Sequence, residues 1–180
     1  MYTTFAGSSL LSVAPVLRHA DATVVYGSPV TAANAALAAR IRYGVPFVLI
    51  VQDVWPDSVF ASGFMTEGAR SRVAHRLLNT YTQRVYQEAS AVVVISEGMR
   101  DLLLSRGVPA EKLHVIYNWG DEPRYPTPVI PAERGQGEPL QIMYAGNMGP
   151  PQGLDVALRA LAMLPKDRFQ FTFVGEGMDE

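Results

Sequence analysis

Leu140-Gln141-Ile142-Met143-Tyr144-Ala145-Gly146-Asn147-Met148-Gly149-Pro150-Pro151-Gln152-Gly153-Leu154 reads as a strand, a glycine-bearing turn and the start of a helix. The apolar run from Ile142 to Ala145 stops at Gly146, and an alanine- and leucine-rich helical pattern follows Gly153. Backbone N–H groups at a helix N-terminus, with glycines that allow close approach, make a seat for phosphate. The turn lacks the Gly-x-Gly-x-x-Gly spacing of dinucleotide sites and the Lys-Ser or Lys-Thr that closes a Walker loop, which counts against both.

The same alternation of strand and helix runs upstream. Ala22 to Tyr26 reads as a buried strand ending in Gly27-Ser28-Pro29. Ser28 is placed to cap the next helix, with Pro29 at its first position. Val30, Ala33, Leu37 and Ile41 recur at helical spacing until Gly44 stops the helix. Phe47 to Val51 is the second strand. Thr66 and Glu67 open a long helix with Ala69, Val73, Leu77, Tyr81 and Val85 along one side. Ala91 to Ile95 is a third strand, and Ser96-Glu97 start a helix closed by Gly107 and Pro109. Leu113 to Tyr117 is a fourth strand. A helix from Gly153 to Leu164 and a strand from Phe169 to Val174 follow the opening stretch.

Continuous apolar strands with little alternation belong to parallel sheets covered by helices. The fold class is therefore α/β, with a doubly wound parallel sheet and helices on both faces. Residues 122–139 are rich in proline, glycine and charge, without a period, and read as a linker. The expected organisation is a partial domain over 1–121, the linker over 122–139, and the first strand–helix–strand unit of a second domain over 140–180.

Apolar residues make up 48% of the chain, enough for a packed core. No apolar run is long enough to cross a bilayer, and Met1 does not open a signal-peptide pattern. The absence of cysteine excludes disulfides and suits a reducing cytosol. A net charge of −2 argues against general nucleic-acid binding. Arginine nevertheless clusters at Arg70, Arg72, Arg76 and Arg84, with His75 among them. Such a helix face sits on anionic headgroups or is simply solvated.

Ligands of open parallel sheets bind beyond the carboxyl ends of the strands. Two stretches there go beyond turn chemistry: Asp53-Val54-Trp55-Pro56-Asp57 and Asn118-Trp119-Gly120-Asp121. Asp53 either orients or deprotonates a substrate hydroxyl, or caps a turn. Trp55 either stacks on a sugar face or fills a gap in the core. The three histidines form no metal-ligand pair, His114 reads as a strand residue, and no serine–histidine–carboxylate set is evident.

Four segments together resemble glycosyltransferase family 4, which has the GT-B fold. They are Gln52 to Ser58, Ile95 to Met99, Ile116 to Asp121, and Tyr144 to Gly149 continuing through Gln152-Gly153-Leu154. The chain is similar to bacterial transferases of O-antigen, capsule and colanic-acid assembly, including the L-fucosamine transferase type. The resemblance implies two Rossmann-like domains, one for the acceptor and one for a nucleotide-sugar donor such as a UDP-sugar. It implies retaining glycosyl transfer to a lipid-linked saccharide, without a metal or other cofactor, at the cytoplasmic face of the membrane. By the same resemblance Asp53 is the catalytic position. Gly146, Asn147, Met148, Gly149, Gln152 and Gly153 form the donor-phosphate loop. Trp55, Asp57, Ser96 and Asn118 are expected at the acceptor site or along the cleft.

Asn147 and Gln152 stand where many relatives carry arginine and lysine as phosphate ligands. Many relatives also have histidine where this chain has Asp53. The resemblance further implies that the first strands of the acceptor domain and most of the donor domain, with its pair of glutamates, lie outside these residues. The chain alone is then expected to be poorly soluble or partly folded, and inactive. Two other readings stand beside this one: a truncated product that only binds nucleotide or a partner, and a Rossmann oxidoreductase or epimerase, for which the glycine fingerprint is missing.

Overall fold

The computed structural model describes residues 2–61, 69–120, 135 and 137–177. They fall into two compact units, one ending at Gly120 and one built mainly of the residues after it.

The first unit begins with α1 (Tyr2–Ser12) and α2 (Ala14–Leu17). Strand β1 (Thr23–Tyr26) leads through a short 3-10 turn (Val30–Ala33) into α3 (Asn34–Tyr43). Then come β2 (Phe47–Val51), α4 (Asp57–Ala61), α5 (Ala69–Glu88), β3 (Ala91–Val94), α6 (Glu97–Ser105) and β4 (Leu113–Val115). The strands form one parallel sheet in the order β1-β2-β3-β4. Thr23 pairs with Phe47, Val48 with Ala91, and Val92 with Leu113. The α/β expectation holds: this is a parallel sheet flanked by helices.

The core follows from the strand composition. Phe47, Leu49 and Val51 on β2 and Val92 and Val94 on β3 are buried, and Val85, Tyr86, Ala89 and Leu103 close over them from α5 and α6. β-branched residues suit such strands because they pack on a pleated surface from few rotamers. The alanines of α3 serve close approach: Ala35, Ala36 and Ala39 are all buried. Gly44 ends α3 as expected, its N–H bonded to the Arg40 carbonyl.

Local expectations change at three places. The strand read as buried over Ala22 to Tyr26 is an edge strand on which Val24 and Tyr26 are exposed. Ser28 does not cap the next helix; its hydroxyl is used elsewhere. The apolar side of α5 is core only in part. Val73 and Leu77 are 60% and 66% exposed, while Thr82, Val85, Tyr86 and Ala89 are buried. A four-residue step overshoots the helical repeat by roughly 40°. The series Val73, Leu77, Tyr81, Val85 therefore winds from solvent to core along the helix. The expected helix start at Thr66 and Glu67 lies outside the described residues, as do Asp121 and most of the 122–139 linker.

The second unit holds β5 (Leu140–Ala145), a 3-10 turn (Pro150–Gln152), α7 (Leu154–Ala162) and β6 (Phe169–Val174). β5 and β6 pair in parallel from Leu140–Phe169 to Ala145–Val174. Tyr144 and Phe173 place their rings 6.1 Å apart across the pair.

Candidate functional site

Because all four strands of the first sheet run the same way, their carboxyl ends share one edge. Ser28 follows β1, Gln52 and Asp53 follow β2, Ser96 follows β3, and Asn118 stands beyond β4. The Ser28 hydroxyl donates to Asp53 Oδ2 at 2.7 Å. Gln52 and Asn118 exchange amide hydrogen bonds: Asn118 Nδ2 donates to Gln52 Oε1 at 3.0 Å, and Gln52 Nε2 donates to Asn118 Oδ1 at 3.3 Å. That pair reaches from β2 to β4, past β3. The edge thus carries a carboxylate held by a hydroxyl beside a joined pair of carboxamides, with Asp53, Ser28 and Asn118 all exposed. Such groups accept from and donate to hydroxyls, the chemistry a polyol ligand needs.

The other first-unit positions have different occupations. Ser96 is the N-cap of α6, where its Oγ accepts from the Met99 N–H at 3.2 Å. Trp55 is half-buried and packs against the core with Val54, the core-filling alternative. Asp57 opens α4 and pairs with Arg106 Nη1 at 2.6 Å. The hydrogen bond from Arg106, aided by its charge, holds the Asp57 carboxyl below the usual aspartate value against the opposing effect of burial. Asp57 and Arg106 line a crevice of about 430 Å³ with Pro56, His75, Asn79 and Gln83. The geometry therefore places the Ser28–Asp53 contact and the Gln52–Asn118 pair at one edge, and gives Asp57 separate partners. His114 is exposed on β4.

Sequence reasoning did not find the contacts of Ser28, Gln52 and Arg106. Ser28 carried a capping signal that competes with its contact to Asp53. The Gln52–Asn118 pair joins residues 66 positions apart, and nothing local marks it. Trp119 is 87% exposed, the more accessible of the chain's two tryptophans.

In the second unit the loop after β5 is narrower as a phosphate seat than its glycines imply. Strand pairing continues past β5 and β6: the Gly146 N–H donates to the Val174 carbonyl and the Met148 N–H to the Glu176 carbonyl, both at 2.9 Å. Gln152 and Gly153 donate to Gly149 and Pro150. Among the described residues, the amides left without a backbone acceptor are those of Asn147 and Gly149, followed by Leu154 and Asp155 at the start of α7. The Tyr144 hydroxyl donates to the Asn147 carbonyl at 2.6 Å and ties the loop down. Gly153 enters α7 at φ 60°, ψ 33°, a left-handed conformation that favours glycine. Asp155, in the first turn of α7, is paired with Arg159.

The family model described as Glycosyl transferase 4-like domain matches residues 3–119. The chain belongs to this family. The match takes in Ser28, Gln52, Asp53, Ser96, Asn118 and Trp119, and ends before the Gly146 loop. Among curated relatives, the chain is 28% identical over 144 residues to "Probable glycosyltransferase WbjE" of Pseudomonas aeruginosa, covering 77% of this chain and 35% of that protein. It is also 28% identical over 141 residues to "Putative colanic acid biosynthesis glycosyl transferase WcaI" of Escherichia coli (strain K12), covering 74% and 34%. This glycosyl transferase 4-like chain thus spans about a third of the length of the curated relatives it matches. A solved UDP-N-acetylglucosamine 2-epimerase from Rickettsia bellii aligns over 94% of this chain and 43% of its own, at 18% identity and a TM-score of 0.42.

Proposed function

We propose that this chain is part of a retaining glycosyltransferase. The enzyme moves a sugar from a nucleotide-sugar donor, a UDP-sugar, to a lipid-linked saccharide during cell-surface polysaccharide assembly. The observation that carries the reading is the Ser28–Asp53 hydrogen bond within the matched domain. It fixes an exposed carboxylate at the strand end where an acceptor hydroxyl would approach. The names of both curated relatives favour sugar transfer, and that of WcaI favours polysaccharide assembly.

In this reading Asp53 orients the acceptor hydroxyl, which adds to the anomeric carbon on the face where the bond to the diphosphate breaks; configuration is retained and the hydroxyl proton leaves on the diphosphate. The second unit, taken by itself, offers a donor's diphosphate the amides of Asn147 and Gly149 and the positive end of α7. Pairing of Asp155 with Arg159 offsets a carboxylate that would otherwise oppose the phosphates at that helix end. The reaction takes place at the inner face of the membrane, with the arginine-bearing start of α5 towards the lipid.

The test is a transfer assay on the full-length protein carrying this chain, using labelled UDP-sugars and a membrane lipid extract as acceptor. Asp53→Asn is expected to lower turnover by about a hundredfold or more. Absence of transfer from every nucleotide sugar, or full activity of Asp53→Asn, would sink the proposal. Calorimetric titration of UDP into the 180-residue chain separates a nucleotide-binding piece from an inert one.

A further inference from the structure

An exposed indole beside planar hydrogen-bonding side chains is a combination suited to sugars. The ring offers a flat apolar face to the C–H face of a pyranose, while amides and carboxylates meet its hydroxyls. The carboxyl edge of the first sheet carries both. Trp119 is 87% exposed and directly follows Asn118. Asn118 is fixed to Gln52 by two hydrogen bonds, and Gln52 adjoins Asp53, which is fixed by Ser28. The backbone at Trp119 is therefore anchored at the same edge as the carboxylate. Trp55, the other tryptophan, is half-buried against the core and has less ring to offer.

We propose that Trp119 is the stacking platform of a saccharide subsite at this edge, with Gln52, Asn118 and Asp53 reading hydroxyls around the stacked ring. Every residue of the subsite lies in the first unit. The ligand class is a neutral pyranoside, as stacking with amide and single-carboxylate recognition requires no anionic group. The inference rests on the saccharide-acceptor reading for its place in the reaction. The binding it asserts is measured separately from transfer.

The chain's two tryptophans make the test direct. Trp55→Phe leaves Trp119 as the sole indole. This variant is titrated with methyl glycosides of hexoses, 6-deoxyhexoses and 2-acetamido sugars. A saturable blue shift with at least one glycoside is expected. In NMR titrations of the chain, Trp119→Ala is expected to weaken binding about tenfold or more, and Trp119→Phe to restore most of it. Circular dichroism should be unchanged in both variants, since the side chain is exposed. No saturable response to any glycoside, or equal affinity in Trp119→Ala, overturns the inference. So does emission from Trp119 that is already blue-shifted before ligand, which would show the indole covered by its own chain. If the full-length protein transfers sugar while Trp119→Ala leaves the acceptor KM unchanged, this inference fails and the transfer reading stands. Glycoside binding without transfer gives the reverse.

Discussion

Asp53 and Asp57 are close in sequence, yet their partners differ in kind. A neutral hydroxyl orients Asp53, which pairs with no cation among the described residues, whereas Arg106 neutralises Asp57. Because Arg106 lowers the Asp57 pKa, the pair's stabilisation is complete above the unfolded aspartate value and is lost as pH falls through the depressed folded value. Arg106→Gln should thus lower Tm at neutral pH by the equivalent of about 1 kcal/mol or less, given a carboxylate that remains half-exposed. Thermal melts of both proteins should converge in strong acid, and a difference that persists there would contradict the assignment. Ser96 offers a simpler case. Loss of its cap in Ser96→Ala should cost about 1 kcal/mol in denaturant melts. At this scale much was legible. The Ser96 cap follows from a local pattern, as does Gly44 ending α3. The Ser28–Asp53 and Gln52–Asn118 contacts were not legible, because they join residues brought together only by the sheet.

Among the elements, α5 shows how one periodicity supports two readings. Its carboxyl half is core, and Tyr86→Ala should cost about 3 kcal/mol of stability in denaturant melts. Its amino half is not, and Val73→Ala or Leu77→Ala should stay within about 0.5 kcal/mol. Arg72 and Arg76 pair with no carboxylate among the described residues, and they flank those exposed apolar side chains. Exposed Val and Leu beside unpaired arginines suit an anionic lipid surface. The chain should sediment with phosphatidylglycerol vesicles but not with phosphatidylcholine vesicles, and Arg72→Gln with Arg76→Gln should release it. Equal sedimentation of the double variant would exclude this face. The β5–β6 pair depends instead on missing side chains. A Cβ on Gly175 would overlap the Gly146 carbonyl oxygen, and one on Gly177 the Met148 carbonyl oxygen. Gly175→Ala or Gly177→Ala should cost about 1–3 kcal/mol and speed hydrogen exchange at the Gly146 and Met148 amides.

For the molecule as a whole, the exposed apolar surface is the leading physical fact. On β1, an edge of the four-stranded sheet, Val24 and Tyr26 are 68% and 60% exposed. In the second unit Met143, Val156, Leu158 and Val174 are all exposed. Apolar strand edges template association. Sedimentation of the 180-residue chain should therefore show self-association that grows with concentration, and a monomer at all concentrations would refute this. The sequence by itself determined the α/β class, the strands, the end of α3 and the bounds of α6 and α7, because each rests on local patterns of burial, caps and turns, and it showed the family through the resemblance of four segments; α1, α2 and α4 it left unread. Only the tertiary structure decided which polar groups meet, which tryptophan faces solvent and which loop amides remain free. Those outcomes depend on strand register and on contacts between distant residues, and neither leaves a mark in any local stretch of sequence.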